Sequence, residues 1–362
     1  AGAEPNWEAA QKLESIYTAK KDWDKVVVAL RRQAEFGNDG AIGALERAVK
    51  IQVNRLDDRE QAAETYGSIL ALDADHPAAL GFLSEHRYHA GDSAGAVELY
   101  ERREKQASSW DLEDFDVQIE ASLFYYHYAL SLIQLERVSD AKERLNKALE
   151  LNPSHLPSLQ AVGPLYMEAG QWKKAEQVYR NLLKYTGGAG DSELLAETYA
   201  RLGTIEWALE KREKAQQRFN KALGVQANNI TALMGMGEVY YVDEDWPNLL
   251  NTYNSVIRFA HDPKRVIEAY LVKGHVLDAK MGLPDKAEQH YQKAKHYQET
   301  LSGEVDRPAR LERLAELALL KLSELALRDK KSDQATAFVK QALELVGASA
   351  AFGAELHLAM AL

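Results

Sequence analysis

Three stretches of this sequence carry residue types that could do chemistry: His86 and His89, one helical turn apart; the glycines of Gly187–Gly190; and the acidic run Asp111, Glu113, Asp114 and Asp116. Two histidines at that spacing offer half of a metal site. No HExxH pattern and no third ligand accompany them, so they read as solvated side chains. GGAG has the glycines of a phosphate loop but no following Lys and Ser/Thr and no preceding strand, and it reads as a linker. The acids read as a solvated loop and helix start, calcium being the remote alternative. Other carboxylates lie along amphipathic faces, where no pair is singled out for acid–base work. Cysteine is absent, which removes disulfides, thiolate catalysis and cysteine-ligated metals. No catalytic residue, metal or cofactor is therefore expected, and the chain is not read as an enzyme.

Charge and composition narrow the classes further. Lys plus Arg number 44 against 55 Asp plus Glu, a net charge of -11 without segregation of the basic residues, so a phosphate backbone is repelled and no nucleic acid is expected. No apolar run reaches the roughly 18 residues of a membrane span. Apolar residues make up 46% of a chain with only nine prolines, which fits a mostly helical protein. The compartment is left open, with the cytoplasm as the default.

The elements that would position any site come from a repeat. In Leu159–Leu182, the residues Leu159, Val162, Gly163 and Tyr166 follow an i, i+3, i+4, i+7 stripe, and Ala175, Tyr179 and Leu182 form a second stripe beyond the turn Ala-Gly-Gln-Trp. That spacing predicts two short helices folded back on each other, closest where Gly163 and Ala175 meet. The alanine position recurs as Val26, Ala62, Ala96, Ala141, Ala175, Ala215, Leu249, Ala287 and Ala335. Four residues after each stands a large apolar side chain: Leu30, Tyr66, Tyr100, Leu145, Tyr179, Phe219, Tyr253, Tyr291 and Val339. Trp23, Trp172 and Trp246 recur in the turn, as plugs rather than binding residues. A period of about 34 residues, stretched by insertions, gives nine units. Insertions map to loops, so flexible seams are expected near 106–116, 186–192 and 299–308 within one continuous domain over residues 1–362.

The alanine and aromatic series, with Gly163, Gly203, Gly237 and Gly274 in the first helices and Pro153 in a turn, resembles the tetratricopeptide-repeat family over essentially the whole chain. The resemblance implies an all-α fold, a right-handed superhelical solenoid of antiparallel helix pairs. It also implies a concave face, lined by first helices, that binds peptides or proteins. Some family members clamp acidic C-terminal tails with Lys, Asn and Arg on successive first helices. Arg47 and Lys50 suit that role, but Phe82 and Glu85 stand at the matching places of the next unit, so such tails are not expected.

On each first helix a stripe beside the buried one should face that groove. It comprises Tyr88, Tyr126, Leu130, Ile133, Gln160, Pro164, Met167, Trp207, Met234, Glu238, Tyr241 and His275, with Glu85, Asp278 and Glu324 as further acids. Aromatic side chains beside carboxylates suit an apolar and basic partner segment. Arg87 and Glu206 occupy the slots where a buried aromatic is expected, so Tyr88 and Trp207 could instead turn inward to fill them. Pro164, inside a helix, leaves the carbonyl of Gln160 without its helical donor.

The expected function is a non-catalytic scaffold or adaptor that holds a peptide or protein segment in its groove. The alternative is the regulatory or targeting arm of a larger enzyme or assembly machine. The absence of an initiating Met, and the apolar stretch Ala348–Leu362 with no second helix after it, point to a piece of a longer chain. That stretch, 348–362, is also a candidate for self-association.

Overall fold

The computed structural model describes residues 7–36, 40–186, 190–300 and 309–346. Part of the Gly-rich seam (187–189), most of the third seam (301–308) and the C-terminal stretch 348–362 lie outside the described residues. Among those described there is no strand, and eighteen α-helices follow one another. The fold is all-α, a solenoid of helix pairs. It divides into two compact units, Ala1–Ala169 and Gly170–Leu362.

The first unit holds α1 (Trp7–Lys20), α2 (Trp23–Glu35), α3 (Ala41–Ile51), α4 (Arg59–Leu72), α5 (Pro77–His89), α6 (Ser93–Glu104), α7 (Phe115–Gln134), α8 (Val138–Leu151) and α9 (Leu156–Glu168). The second holds α10 (Trp172–Thr186), α11 (Ser192–Ala208), α12 (Arg212–Val225), α13 (Ile230–Val242), α14 (Trp246–Phe259), α15 (Pro263–His275), α16 (Pro284–Thr300), α17 (Ala309–Arg328) and α18 (Ser332–Val346). Within each unit every helix packs on the next, and first helices also touch first helices, as α11 does α13 and α15 does α17.

Local chemistry starts and stops the helices at regular places. Asp58, Asp92, Asp114, Asp191, Asn229, Asp245 and Asp262 each accept a backbone N–H of the first turn that follows. Each first helix ends in a turn with one left-handed residue: Lys21, Asp57, Gly91, Glu136, Gly170, Glu210, Glu244, Gly282 and Lys330. The N–H after it commonly reaches back five residues, as Arg137 does to Leu132 and Lys211 to Glu206. Only three of the nine are glycine.

The core is the series read from the sequence. All nine residues of the alanine series are buried, and so are eight of the nine large residues, Tyr66 being half-buried against Phe82. Glycine in the first helix makes room for the aromatic of the second. A Cβ at Gly203 would meet the Phe219 ring at 2.5 Å, and one at Gly274 the Tyr291 ring at 2.5 Å. Phe219 also fills the hollow over Gly235 of the next repeat, where a Cβ would stand 2.3 Å away. Trp23 and Trp246 open their helices and pack against the cores beside them.

The first insertion takes a form of its own. Residues Ala107–Ser109 make a single 3₁₀ turn, and Trp110 packs edge-on against Phe124 at 5.1 Å with the Arg103 guanidinium 5.7 Å above it. Beyond it α7 runs for 20 residues where α5 and α9 have 13. The seam thus feeds a first helix about two turns longer than its neighbours.

Candidate functional site

In the second unit the groove stripe coincides with real concavities. One cavity of about 290 Å³ is lined from α13, α15 and α17 by Glu238, Tyr241, Val272, His275, Leu317 and Lys321, over a floor that includes Tyr253 and Tyr291. A second, of about 230 Å³, is lined by Arg201, Thr204 and Trp207 of α11, by Met234 and Glu238 of α13, and by Arg265 of α15. All five candidate residues of this unit, Trp207, Met234, Glu238, Tyr241 and His275, border one or the other. Glu238 borders both.

The charges around the cavities are mostly spoken for. Arg201 bonds Glu197 at 2.6 Å, Arg265 bonds Glu268 at 3.0 Å, and Lys321 bonds Glu324 at 2.7 Å. Asp278 is held by Arg328 at 2.6 Å. Glu238, exposed, joins no ion pair among the described residues, so it is the open charge of this face. Burial, and after it the field of Glu238 and Glu268, raises the Tyr253 phenol above its ordinary value. The Tyr291 hydroxyl is buried without a hydrogen-bond partner among the described residues, beside the larger of the two cavities, an uncommon state for a polar group.

The alternative placement of Trp207 is not what is seen. Glu206 itself fills the inward slot, fully buried, with Arg218 Nε 3.4 Å from its carboxylate. Trp207 stays half-buried at the cavity edge, where the Arg212 guanidinium lies 3.9 Å over its ring. Tyr241 is also half-buried, edge-on to Trp246 at 5.6 Å and under Lys280 at 5.5 Å. Both rings therefore have a packed side and an open side.

The first unit arranges the same stripe differently. Glu85 accepts a hydrogen bond from the Tyr100 hydroxyl at 3.0 Å and pairs with His127 Nδ1 at 2.7 Å. Tyr88 stacks on the His127 ring at 4.5 Å, His89 meets that ring edge-on at 5.8 Å, and Tyr126 bridges towards His155 at 5.1 Å. Burial opposes ionisation of Glu85, but the hydrogen bond and charge of His127, with the Tyr100 hydroxyl, outweigh it and hold the carboxyl below its ordinary value. Burial, then the His127 charge, lowers His155. Tyr88 turns towards this network while Arg87 stands exposed near Asp92 at 3.7 Å. Leu130 and Met167 are half-buried, and Gln160 is exposed beside Pro164, through which α9 continues.

His127 and His155 are the residues that the stripe did not single out. The signal was there in outline, since His127 lies on the first helix of the next unit after that of Glu85 and His155 stands at the start of the one after it. His86 stacks on Phe82 at 6.2 Å and approaches Glu60 at 3.4 Å. Asp114 caps α7 through the N–H groups of Asp116 and Val117, and Asp111 accepts from the N–H of Glu113. Arg47 is engaged with Glu14 and Gln33.

Sequence profiles described as "Tetratricopeptide repeat" match residues 55–109, 123–155 and 196–229. The chain carries tetratricopeptide repeats. Among curated proteins it is similar to protein O-mannosyl-transferase TMTC3 of Homo sapiens, 27% identical over 154 residues, which is 42% of this chain and 16% of that protein. It is also similar to the TPR repeat-containing protein MJ1428 of Methanocaldococcus jannaschii, 22% identical over 146 residues, 40% of this chain and 25% of that one. The matches thus span a quarter or less of these relatives. Among solved structures the apo form of RapI is similar over 94% of this chain and 97% of its own, at 11% identity and a TM-score of 0.50. YrrB, a TPR protein with an unusual peptide-binding site, matches 56% of this chain and 96% of its own, at 19% identity and a TM-score of 0.43. Tetratricopeptide repeats support a protein-interaction scaffold in general. No helix among the described residues is long and apolar enough to cross a membrane.

Proposed function

We propose that the first-helix face of the second unit binds a protein segment that is apolar and basic, and that the chain acts as a non-catalytic scaffold or adaptor. The observation that carries this reading is Glu238, a carboxylate with no ion pair among the described residues, between two cavities whose lining Arg and Lys side chains are paired with other acids. Large side chains of the segment would enter the cavities beside Tyr241, Trp207 and Met234, and a Lys or Arg between them would meet Glu238.

A peptide array probed with the whole chain tests this. Wild type should capture sequences that combine aromatic or aliphatic residues with Lys or Arg, and Glu238→Lys should weaken that capture without moving the melting temperature. Equal capture by both proteins would sink the reading.

The alternative role, as the regulatory or targeting arm of a larger enzyme, is supported by the similarity to a small part of a protein named as a transferase. An intact mass of the native protein well above 40.5 kDa, with a transferase activity that co-purifies, would favour it.

A further inference from the structure

The two additional turns of α7 expose an apolar stripe. Phe115 is 70% exposed, Ile119 41% and Leu123 43%, and Tyr126 and Leu130 continue the line half-buried. At 100° per residue these five side chains fall within an arc of about 80°, so they form one seam about 22 Å long. The buried residues of the helix, Ala121, Phe124, Tyr125 and Tyr128, lie on the face opposite that arc. Asp116 and Glu120 lie along one edge of it, one turn apart.

The electrostatics around the seam are one-sided. From Gln106 to Glu136 the sequence has no Lys or Arg, while Asp111, Glu113, Asp114, Asp116, Glu120 and Glu136 are acidic. None of these six joins an ion pair among the described residues, although Glu104 just upstream takes both Arg144 and Lys147. Arg103, the nearby cation upstream, is committed over the Trp110 and Phe124 rings. An exposed apolar seam with an unneutralised acidic border is an interface lacking its other half.

We infer that the seam of α7 docks a basic amphipathic helix of another protein, about four turns long. Its apolar face lies on Phe115, Ile119, Leu123, Tyr126 and Leu130, and its Lys or Arg residues flank that face opposite Asp116 and Glu120. Charge decides between occupants. An anionic bilayer or a nucleic acid would be repelled by the acids, and a second copy seated about a two-fold axis would set the acids of the two seams against each other. This surface lies on a different helix from the cavities of the second unit and does not depend on their role.

The test uses the whole chain and a fluorescein-labelled helical peptide of about 16 residues, with leucine on one face and lysine beside it, read by fluorescence anisotropy at low ionic strength. A second peptide keeps the leucines and replaces each lysine with glutamate. Phe115→Ser with Ile119→Ser should weaken the lysine peptide at least about tenfold while all charges remain. Asp116→Lys with Glu120→Lys should weaken the lysine peptide and tighten the glutamate peptide, a swap that loss of structure cannot mimic. Trp207→Ala with Tyr241→Ala removes any binding of the peptide at the second-unit cavities, so the α7 variants are read in that background as well as in the wild-type chain.

Three results would overturn the inference. The first is lysine-peptide affinity insensitive to both α7 variants, including the case in which only the Trp207 and Tyr241 changes abolish it. The second is a wild-type dimer in sedimentation that Phe115→Ser with Ile119→Ser disperses, which would give the seam to a second copy. The third is phosphatidylserine vesicles bound more tightly than the peptide and released by the same two changes, which would give it to a bilayer.

Discussion

Glu85 and Glu238 stand at the same register of their repeats, eleven residues ahead of Ala96 and Leu249, and each has a tyrosine four residues past that marker. In the first unit the tyrosine, Tyr100, donates to the carboxylate, and His127 of the following first helix closes the network. In the second unit no hydrogen bond joins Tyr253 to Glu238, and cavities open on both sides of it. One repeat position has thus been used in two ways. Satisfied from within, a carboxylate stabilises its surroundings; left open, it is available to a partner at little benefit to the fold.

The comparison breaks most directly if the two carboxylates are removed. Glu85→Ala strands a buried phenol and an imidazole and should lower stability by about 2–3 kcal/mol. Glu238→Ala should stay within about 0.5 kcal/mol, both being read as shifts of the urea midpoint. Acid should erase part of the difference. The Glu85 carboxyl is depressed in the folded state, so its contribution is present above its ordinary value of 4.5 and is lost as pH falls through the lower folded value. The stability gap between wild type and Glu85→Gln should therefore narrow steadily below pH 4.5, whereas Glu238→Gln should show no comparable trend.

The tyrosines sharpen the same contrast at a smaller scale. Tyr100→Phe removes a bond to a carboxylate and should cost about 1.5 kcal/mol, whereas Tyr291→Phe removes an unbonded buried hydroxyl and should be neutral or slightly stabilising. Reversal of that order in thermal melts would remove the distinction. Last come the turns, which are alike in both units. Glu136→Gly and Glu244→Gly relieve a left-handed non-glycine residue and should each add about 0.5–1 kcal/mol. Equal gains would show that the units share a frame and differ only in what the first helices carry.

How much of this the sequence disclosed follows from the range of each interaction. The alanine and aromatic series is local and periodic, so the core was legible down to Gly203 beneath Phe219. In the second unit all five candidates of the stripe border cavities, while the inward slot is filled by the buried Glu206. The network around Glu85 was not legible, because His127 meets it across 42 residues of sequence that include the first insertion. The insertion itself reads as a loop by composition. Trp110 on Phe124, a tertiary contact, and the Asp114 cap turn it into the start of a longer helix.

Phe219 occupies the hollows of two successive repeats, above Gly203 in its own and Gly235 in the next. Under a stretching load such a side chain behaves as a rivet, since the two repeats cannot slide apart until a whole phenyl ring has been withdrawn from both seats. Yielding would then come first at joints held by smaller contacts, and the elasticity of this segment would be graded along its length instead of uniform.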